Sequence, residues 1–275
     1  MEFLPPLSEV YPFVIALLVA GVVAGFLAGL FGIGGGAVLV PVFYQVLTAL
    51  SIDEAVRMHV AVGTSLAIIV PTSLQSFRKH HARGAVDMAL LRSFAIPVPV
   101  GVICAAIVTA WISGAGLRLI FACIALAIAL RLLFAKENWK LSGDIPTGPV
   151  RSGIGWLIGF FSTFMGIGGG VMNNTFMTLY GRPMHQAVAT SSGTGVLISI
   201  PGVIGYILVG LGISGLPPFS LGYVNLLAFA MIIPITVFMA PLGVRAAHSL
   251  SKRQLEIGFG IFLLIVAIRF FVSLS

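Results

Sequence analysis

FGIGGG at residues 31–36 returns as MGIGGG at residues 165–170, and MHVAVGTS at 58–65 returns as MHQAVATS at 184–191 with six identities in eight positions. The last apolar segment of each half also ends alike, in ALRLLF and in AIRFFV. The matches occur in the same order in both halves of the chain. Ordered self-similarity of this kind is the signature of a repeated unit, so the pattern predicts an internal duplication.

The composition places the chain in a lipid bilayer. Of its 275 residues, 59% are apolar and 8% are charged, and its mean hydropathy is +1.11, whereas soluble domains have about 25% charged residues. So few charges exclude a water-soluble globule. The net charge of +7 fits basic cytoplasmic loops, so nucleic-acid binding is excluded. Cys104 and Cys123 lie inside apolar runs and predict neither a disulfide nor a metal site.

Ten apolar segments follow one another, five in each half. A helix needs roughly 20 residues to cross about 30 Å of hydrocarbon. We therefore expect one all-α transmembrane domain with a first repeat at 1–134, a cytoplasmic linker at 135–151 and a second repeat at 152–275. The expected segments are 11–31, 37–50, 60–77, 88–111, 117–134, 152–165, 171–180, 187–210, 224–244 and 255–273.

The basic residues predict that the second repeat is inverted. An odd number of crossings in each half turns the second copy upside down. If the RKHHAR loop at 78–83 is cytoplasmic, twelve of the fifteen basic residues lie at or near the inner face, as membrane proteins prefer. The corresponding loop of the second half, residues 211–223, has no charge. Both termini are then expected on the exterior side.

Three segments, 37–50, 152–165 and 171–180, are too short to cross the membrane untilted. We expect them to be broken or re-entrant helices beside the two glycine turns, because irregular backbone at membrane depth is tolerated where it lines protein or a cavity. Matching discontinuous helices in two halves are typical of a transporter's binding site. Prolines are expected to interrupt the neighbouring helices at Pro71, Pro97, Pro99, Pro201, Pro234 and Pro241.

The glycines at these turns are candidates for anion binding. Each triplet precedes a short helix, whose N-terminus carries about half a positive charge and unpaired amides. Two such termini facing each other could hold an oxyanion without a buried Arg or Lys. The alternative is that the glycines only let helices pack closely. The candidates are Gly34, Gly35, Gly36, Gly168, Gly169 and Gly170.

Hydroxyl and amide side chains near the turns are the second group of candidates. They could replace the hydration shell of an anion, or they could bond only to their own or a neighbouring helix. Asn173 has no polar counterpart in the first half, so a site that includes it is asymmetric. The candidate donors are Thr64, Ser65, Thr190, Ser191 and Asn173.

The titratable residues narrow the class of substrate. His59 and His185 occupy equivalent positions and could carry a coupling proton or act in gating, although an interfacial histidine can also cap its own helix. Every carboxylate falls at a segment end or in a loop, which argues against a cation site. An intramembrane hydrolase using Ser192 and His185 is excluded, because seven helical residues separate them by about 10 Å.

The chain resembles the TauE/SafE family of sulfite exporters, also called the TSUP family. The resemblance covers residues 15–273 and rests on the early glycine pattern at Gly25, Gly29, Gly32 and 34–36, its return at 166–170, and the A-V-x-T-S segments at 61–65 and 187–191. It implies a multi-pass protein of the bacterial inner membrane that moves sulfite, organosulfonates or related sulfur compounds.

The sequence thus predicts a transporter that exports sulfite or small organosulfonate anions by alternating access. No cofactor, metal or catalytic residue is expected, and the expected partners are the small anion and the bilayer. Three alternatives stay open: an anion channel with the same pore, import of a related sulfur oxyanion, and a scaffold without transport. The oligomeric state stays open as well.

Overall fold

Helices form nearly all of the computed structural model, which describes residues 7–31, 36–134, 144–247 and 249–274. A helix satisfies its own backbone polar groups, as a chain in lipid must. The predicted all-α class is confirmed. Within the described ranges the elements are α1 (Leu7–Phe31), α2 (Gly36–Ala49), α3 (Glu54–Ala82), α4 (Met88–Phe94), α5 (Pro97–Thr109), α6 (Gly114–Phe134), α7 (Gly148–Phe164), α8 (Gly170–Leu179), α9 (Met184–Gly210), β1 (Ser220–Leu221), β2 (Val224–Asn225), α10 (Leu226–Ala247) and α11 (Lys252–Val272).

Five helices in the described part of the chain are long and apolar enough to cross a membrane, namely α3, α6, α9, α10 and α11. The bent pair α4 and α5 makes a sixth candidate span. Two of the three segments expected to be short are short helices, since α2 has 14 residues and α8 has 10, whereas the segment predicted at 152–165 belongs to α7, which has 17 residues. At 1.5 Å per residue these two helices are about 21 and 15 Å long.

The expected interruption occurs at Pro97, whereas the interruptions expected at four other prolines are corrected. The segment predicted at 88–111 is divided, because α4 ends at Phe94 and α5 begins at Pro97 with a bend of 40°. Pro97 has no N–H and suits the first turn of a new helix. By contrast, α3, α9 and α10 continue through their prolines, at Pro71, Pro201, Pro234 and Pro241. Membrane helices tolerate proline where neighbouring groups satisfy the freed carbonyl.

The helices pack in pairs around a central α3–α9 pair, with α1 against α10, α5 against α7 and α6 against α11. Glycines make two of these contacts close. A Cβ on Gly25 would lie 2.9 Å from the Cα of Thr236 in α10, and one on Gly159 would lie 2.2 Å from the carbonyl of Val98 in α5. Small residues allow such backbone approach in membranes. Gly25 and Gly159 are equivalent when the glycine turns are aligned, and each joins one half to the other.

A small antiparallel hairpin precedes α10, where the sequence predicts only an uncharged loop. Ser220 pairs with Asn225 and Leu221 with Val224. Asn225 then starts α10, because its side-chain oxygen accepts the amide of Ala228 at 2.8 Å. The hairpin therefore fixes the beginning of this helix beside α3 and α9.

Candidate functional site

A cavity of about 960 Å³ lies among α1, α3 and α10 and the first residues of α2, α8 and α9. Three of the predicted glycines, Gly36, Gly168 and Gly170, line it. One part of the wall is apolar, with Ala24 and Leu39 among its residues. The polar and charged lining residues are Thr72, Ser73, Gln75, Ser76, Lys79, Asn174, Ser191, Ser192, Thr236 and Arg245.

The start of α2 touches the second glycine turn. A Cβ on Gly36 would lie 2.4 Å from the carbonyl oxygen of Gly166 and 2.9 Å from the Cα of Ile167. In the turn itself, Gly166 and Gly169 have φ angles of +60° and +69°, a conformation that favours glycine. The structure thus brings Gly36 against the second turn. Gly34 and Gly35 lie outside the described residues.

Thr64 and Thr190 make the same hydrogen bond in opposite halves. The Thr64 hydroxyl accepts the main-chain amide of Asn225 at 2.9 Å, and the Thr190 hydroxyl accepts that of Asp87 at 2.9 Å. Each partner is a helix-capping residue, since Asp87 caps α4 as Asn225 caps α10. Both threonines are fully buried and lie outside the lining of the cavity. Their hydroxyls hold the starts of two long helical segments.

Ser65 is also buried and bonded within the protein. Its hydroxyl donates to the carbonyl of Gly166 at 2.8 Å. The A-V-x-T-S segment of the first half therefore holds the glycine turn of the second half. Ser65 lies outside the lining of the cavity, behind the point where Gly36 meets the turn.

Asn173, Ser191 and Asn174 form one buried network between α8 and α9. The Asn173 amide nitrogen donates to the Ser191 hydroxyl at 2.8 Å, and Ser191 donates to the side-chain oxygen of Asn174 at 2.6 Å. Ser191 and Asn174 line the cavity, whereas Asn173 lies behind them with no exposed surface. The predicted donors Ser191 and Asn173 are thus brought together, and Asn174 reaches the cavity wall.

The two equivalent histidines have different surroundings. His59 is 3% exposed, its Nε2 lies 3.1 Å from the carbonyl of Ile112, and its ring stacks on Tyr223 with centroids 4.7 Å apart. His185 is exposed in the first turn of α9. Neither lines the cavity.

The polar stripe of α3 is the part of the cavity that the sequence analysis missed. Thr72, Ser76 and Lys79 are spaced by four and three residues, which places them on one helix face. Thr72 and Ser76 lie within the apolar segment predicted at 60–77, and Lys79 lies in the loop predicted at 78–83. Lys79 and Arg245 occupy the last turns of α3 and α10. No carboxylate is among the described lining residues, so this end of the cavity is positively charged.

The opposite ends of α3 and α9 are closed around the hairpin. A Cβ on Gly63 would lie 2.4 Å from the carbonyl oxygen of Tyr223, and one on Gly210 would lie 2.3 Å from the Tyr223 nitrogen. Tyr206 is fully buried beneath them and contacts the Tyr223 ring edge to face. The cavity therefore extends toward Lys79 and Arg245, and packed backbone separates it from the hairpin.

Comparison with known proteins places this architecture in a family. The family described as "Sulfite exporter TauE/SafE" matches residues 17–270. A "Probable membrane transporter protein" of Haemophilus influenzae is 34% identical over 265 residues, which are 96% of this chain and 100% of the relative. Proteins of similar description from Methanocaldococcus jannaschii and Bacillus subtilis are 28% and 27% identical over 88% and 92% of this chain, and over 89% and 95% of their own lengths. No solved structure matches. This multi-pass membrane protein belongs to the sulfite exporter TauE/SafE family of membrane transporters.

Proposed function

We propose that the protein exports sulfite or a small organosulfonate across the bacterial inner membrane by alternating access. The observation that carries this proposal is that two short helices begin at one cavity. Gly36 starts α2, Gly170 starts α8, and both line the same space. The anion binds between the turns at 34–36 and 168–170.

The electrostatics of the cavity support an anionic substrate. The first amides of a helix have no partner within it, and the helix N-terminus is partly positive. Two such termini at one cavity attract negative charge, and Lys79 and Arg245 add positive charge at its end. The described lining residues include no carboxylate, which disfavours a cation as substrate.

The size and the walls of the cavity support an organic anion. Its volume of about 960 Å³ is at the upper end of ordinary small-ligand pockets, which span about 300–1,000 Å³. Ala24, Leu39 and Val237 form part of an apolar wall opposite the α3 stripe. A sulfonate with a short carbon chain would place its charged group at the glycine turns and its chain on this wall.

The hydrogen bonds divide the predicted donors into two roles. Ser191 lines the cavity, so we assign it to the binding wall, and Asn173 supports it from behind the wall. Thr64, Ser65 and Thr190 have hydrogen-bond partners within the protein. We assign them to positioning the helix starts and the glycine turn that they contact. His59 lies in the closed end and His185 lies at the opposite end of the molecule, where we propose gating roles.

Alternating access follows from two inverted repeats, which we propose at 1–134 and 152–275 with the linker at 135–151. The α1–α10 and α5–α7 pairs each join one repeat to the other. We propose that the two units that move against each other during transport each contain helices from both repeats. In the orientation with loop 78–83 cytoplasmic and both termini outside, the cavity extends toward the cytoplasm. A negative interior then favours anion exit by about 2.3 kcal/mol per charge per 100 mV.

Flux in proteoliposomes tests the function. Purified protein should release trapped radiolabelled sulfite, with saturation, with counterflow, and with competition by methanesulfonate. Flux without saturation or counterflow indicates the anion-channel alternative. If correctly inserted protein transports neither sulfite nor methanesulfonate, the proposal is overturned. The relatives are described as probable membrane transporter proteins, which supports a transport function for this chain.

A further inference from the structure

A short chain of hydrogen bonds ends at the cavity wall on Asn174. This residue is the fifth of α8 and is 7% exposed. Its side-chain oxygen accepts the Ser191 hydroxyl at 2.6 Å. Among the described residues its amide nitrogen has no hydrogen-bond partner within the protein, although the side chain lines the cavity. The nitrogen is therefore the part of Asn174 left for a ligand.

The direction of this chain is set by its buried end. The Asn173 amide nitrogen lies 2.8 Å from the Ser191 oxygen and 3.7 Å from the Met177 sulfur. A thioether sulfur accepts hydrogen bonds but cannot donate them. The nitrogen side of Asn173 thus faces both groups, and its side-chain oxygen is buried without a partner among the described residues. In this orientation the Ser191 hydroxyl accepts a hydrogen bond from Asn173 and donates one to Asn174.

We infer that Asn174 is a specificity-determining donor of the substrate site, held in one orientation by Ser191 and Asn173. This inference rests on the proposed function. An amide NH₂ group only donates, so it pairs with an oxygen that carries lone pairs and no proton. A fully ionised sulfonate offers three such oxygens. A ligand that presents an N–H group at this position would leave two donors facing each other.

The pair Asn173 and Asn174 occurs only in the second half of the chain. When the glycine turns are aligned, Leu39 and Val40 occupy the positions of Asn173 and Asn174. Leu39 lines the apolar part of the cavity and Val40 is fully buried. We therefore place the charged group of the substrate between the two turns on the α8 side, with its carbon chain on the apolar wall that includes Leu39.

A pair of isosteric ligands tests the inference. Methanesulfonate and methanesulfonamide have nearly the same shape, but the sulfonamide is uncharged and replaces one oxygen acceptor with an NH₂ donor, so the change of the preference in a variant, rather than the wild-type preference itself, reports on Asn174. Both are used as competitors of radiolabelled sulfite binding to purified full-length protein. Wild type should prefer the sulfonate by at least ~10-fold, the range expected for a hydrogen bond to a charged group.

Asn174→Asp keeps the oxygen that accepts from Ser191, replaces the donor with an acceptor and adds a negative charge, so the uncharged Asn174→Leu, which should also lower the preference for the sulfonate, is measured beside it. Methanesulfonate affinity should fall at least ~10-fold, and the preference between the two ligands should reverse. Unchanged thermal unfolding in detergent shows that the variant is folded. Ser191→Ala removes the positioning bond and should reduce the preference by about threefold or more.

Ser93→Ala is the matched control for Ser191→Ala, since Ser93 does not line the cavity and its hydroxyl donates to the Leu90 carbonyl of its own helix at 2.6 Å. It should change the preference by less than about twofold. Wild-type affinity in Asn174→Asp, or equal effects of the two serine substitutions, overturns the inference. A wild-type protein that binds neither sulfite nor methanesulfonate overturns the proposed function instead.

Discussion

The hydroxyl of Thr64 accepts the main-chain amide of Asn225 across 161 positions of sequence. Its counterpart Thr190 accepts the amide of Asp87 with the same distance of 2.9 Å. In each case a residue of one half holds the cap of a helix that belongs to the other half. The two halves are thereby connected by a reciprocal pair of buried bonds, in addition to the helix pairs that they share.

These threonines should matter more for stability than for affinity. Thr64→Val or Thr190→Val leaves a buried amide without its acceptor, which costs about 1–3 kcal/mol. We expect a lower melting temperature in detergent and a sulfite affinity within about twofold of wild type once folded. Thr163→Val is the matched control, because Thr163 is fully buried and donates only to the Gly159 carbonyl of its own helix. A large loss of affinity with unchanged melting would return Thr190 to the binding site.

The contact between the two glycine turns should tolerate no side chain. Gly36→Ala brings a methyl group 2.4 Å from the Gly166 carbonyl, and neither backbone can move away without separating α2 from the turn. We expect loss of sulfite transport with the protein still inserted. Gly153→Ala is the control, since nothing lies within 4 Å of that position and alanine favours a helix interior by about 0.5–1 kcal/mol. Normal transport by Gly36→Ala would remove the turns from the site.

Lys79 and Arg245, at the end of the cavity, should attract the anionic substrate into it. Replacing Lys79 or Arg245 with Gln lowers the local positive potential, so we expect KM for sulfite at the α3 and α10 end to rise several-fold with kcat little changed. The difference from wild type should narrow as ionic strength rises, because salt screens exposed charges. Arg83→Gln, an exposed residue that does not line the cavity, should show normal KM. Equal KM in all three variants contradicts a capture role.

The inverted topology predicts opposite labelling of two loops. In a protein with Cys104 and Cys123 replaced by serine, a cysteine introduced by His81→Cys should react with a membrane-impermeant reagent only after the cells are opened. A cysteine introduced by Ser214→Cys, in the uncharged loop, should react in intact cells. Both positions are exposed in the structure. Labelling of the His81→Cys variant from outside would reverse the proposed orientation of the whole chain.

The membrane class and the short helices could be predicted from the sequence, because both depend on the hydropathy and length of single segments. Hydropathy reports the surrounding solvent, and 14 or 10 apolar residues cannot make a full crossing. Helix interruptions were harder to predict. The predicted segment is interrupted before Pro97, whereas α3 continues through Pro71. Neighbouring helices decide this difference, because they determine whether the carbonyl left without a backbone partner is satisfied.

Composition and repetition were sufficient for a polytopic helical protein with two glycine turns, since bilayer thickness and backbone hydrogen bonding restrict how such a chain can fold. Only the packing of distant segments decided which polar side chains line the cavity and which bond within the protein. Thr64 and Thr190 match each other in sequence and bond to the protein, whereas Ser191, one residue further on, reaches the cavity. A hydroxyl has no local signal for this difference, because its partner can lie more than a hundred residues away.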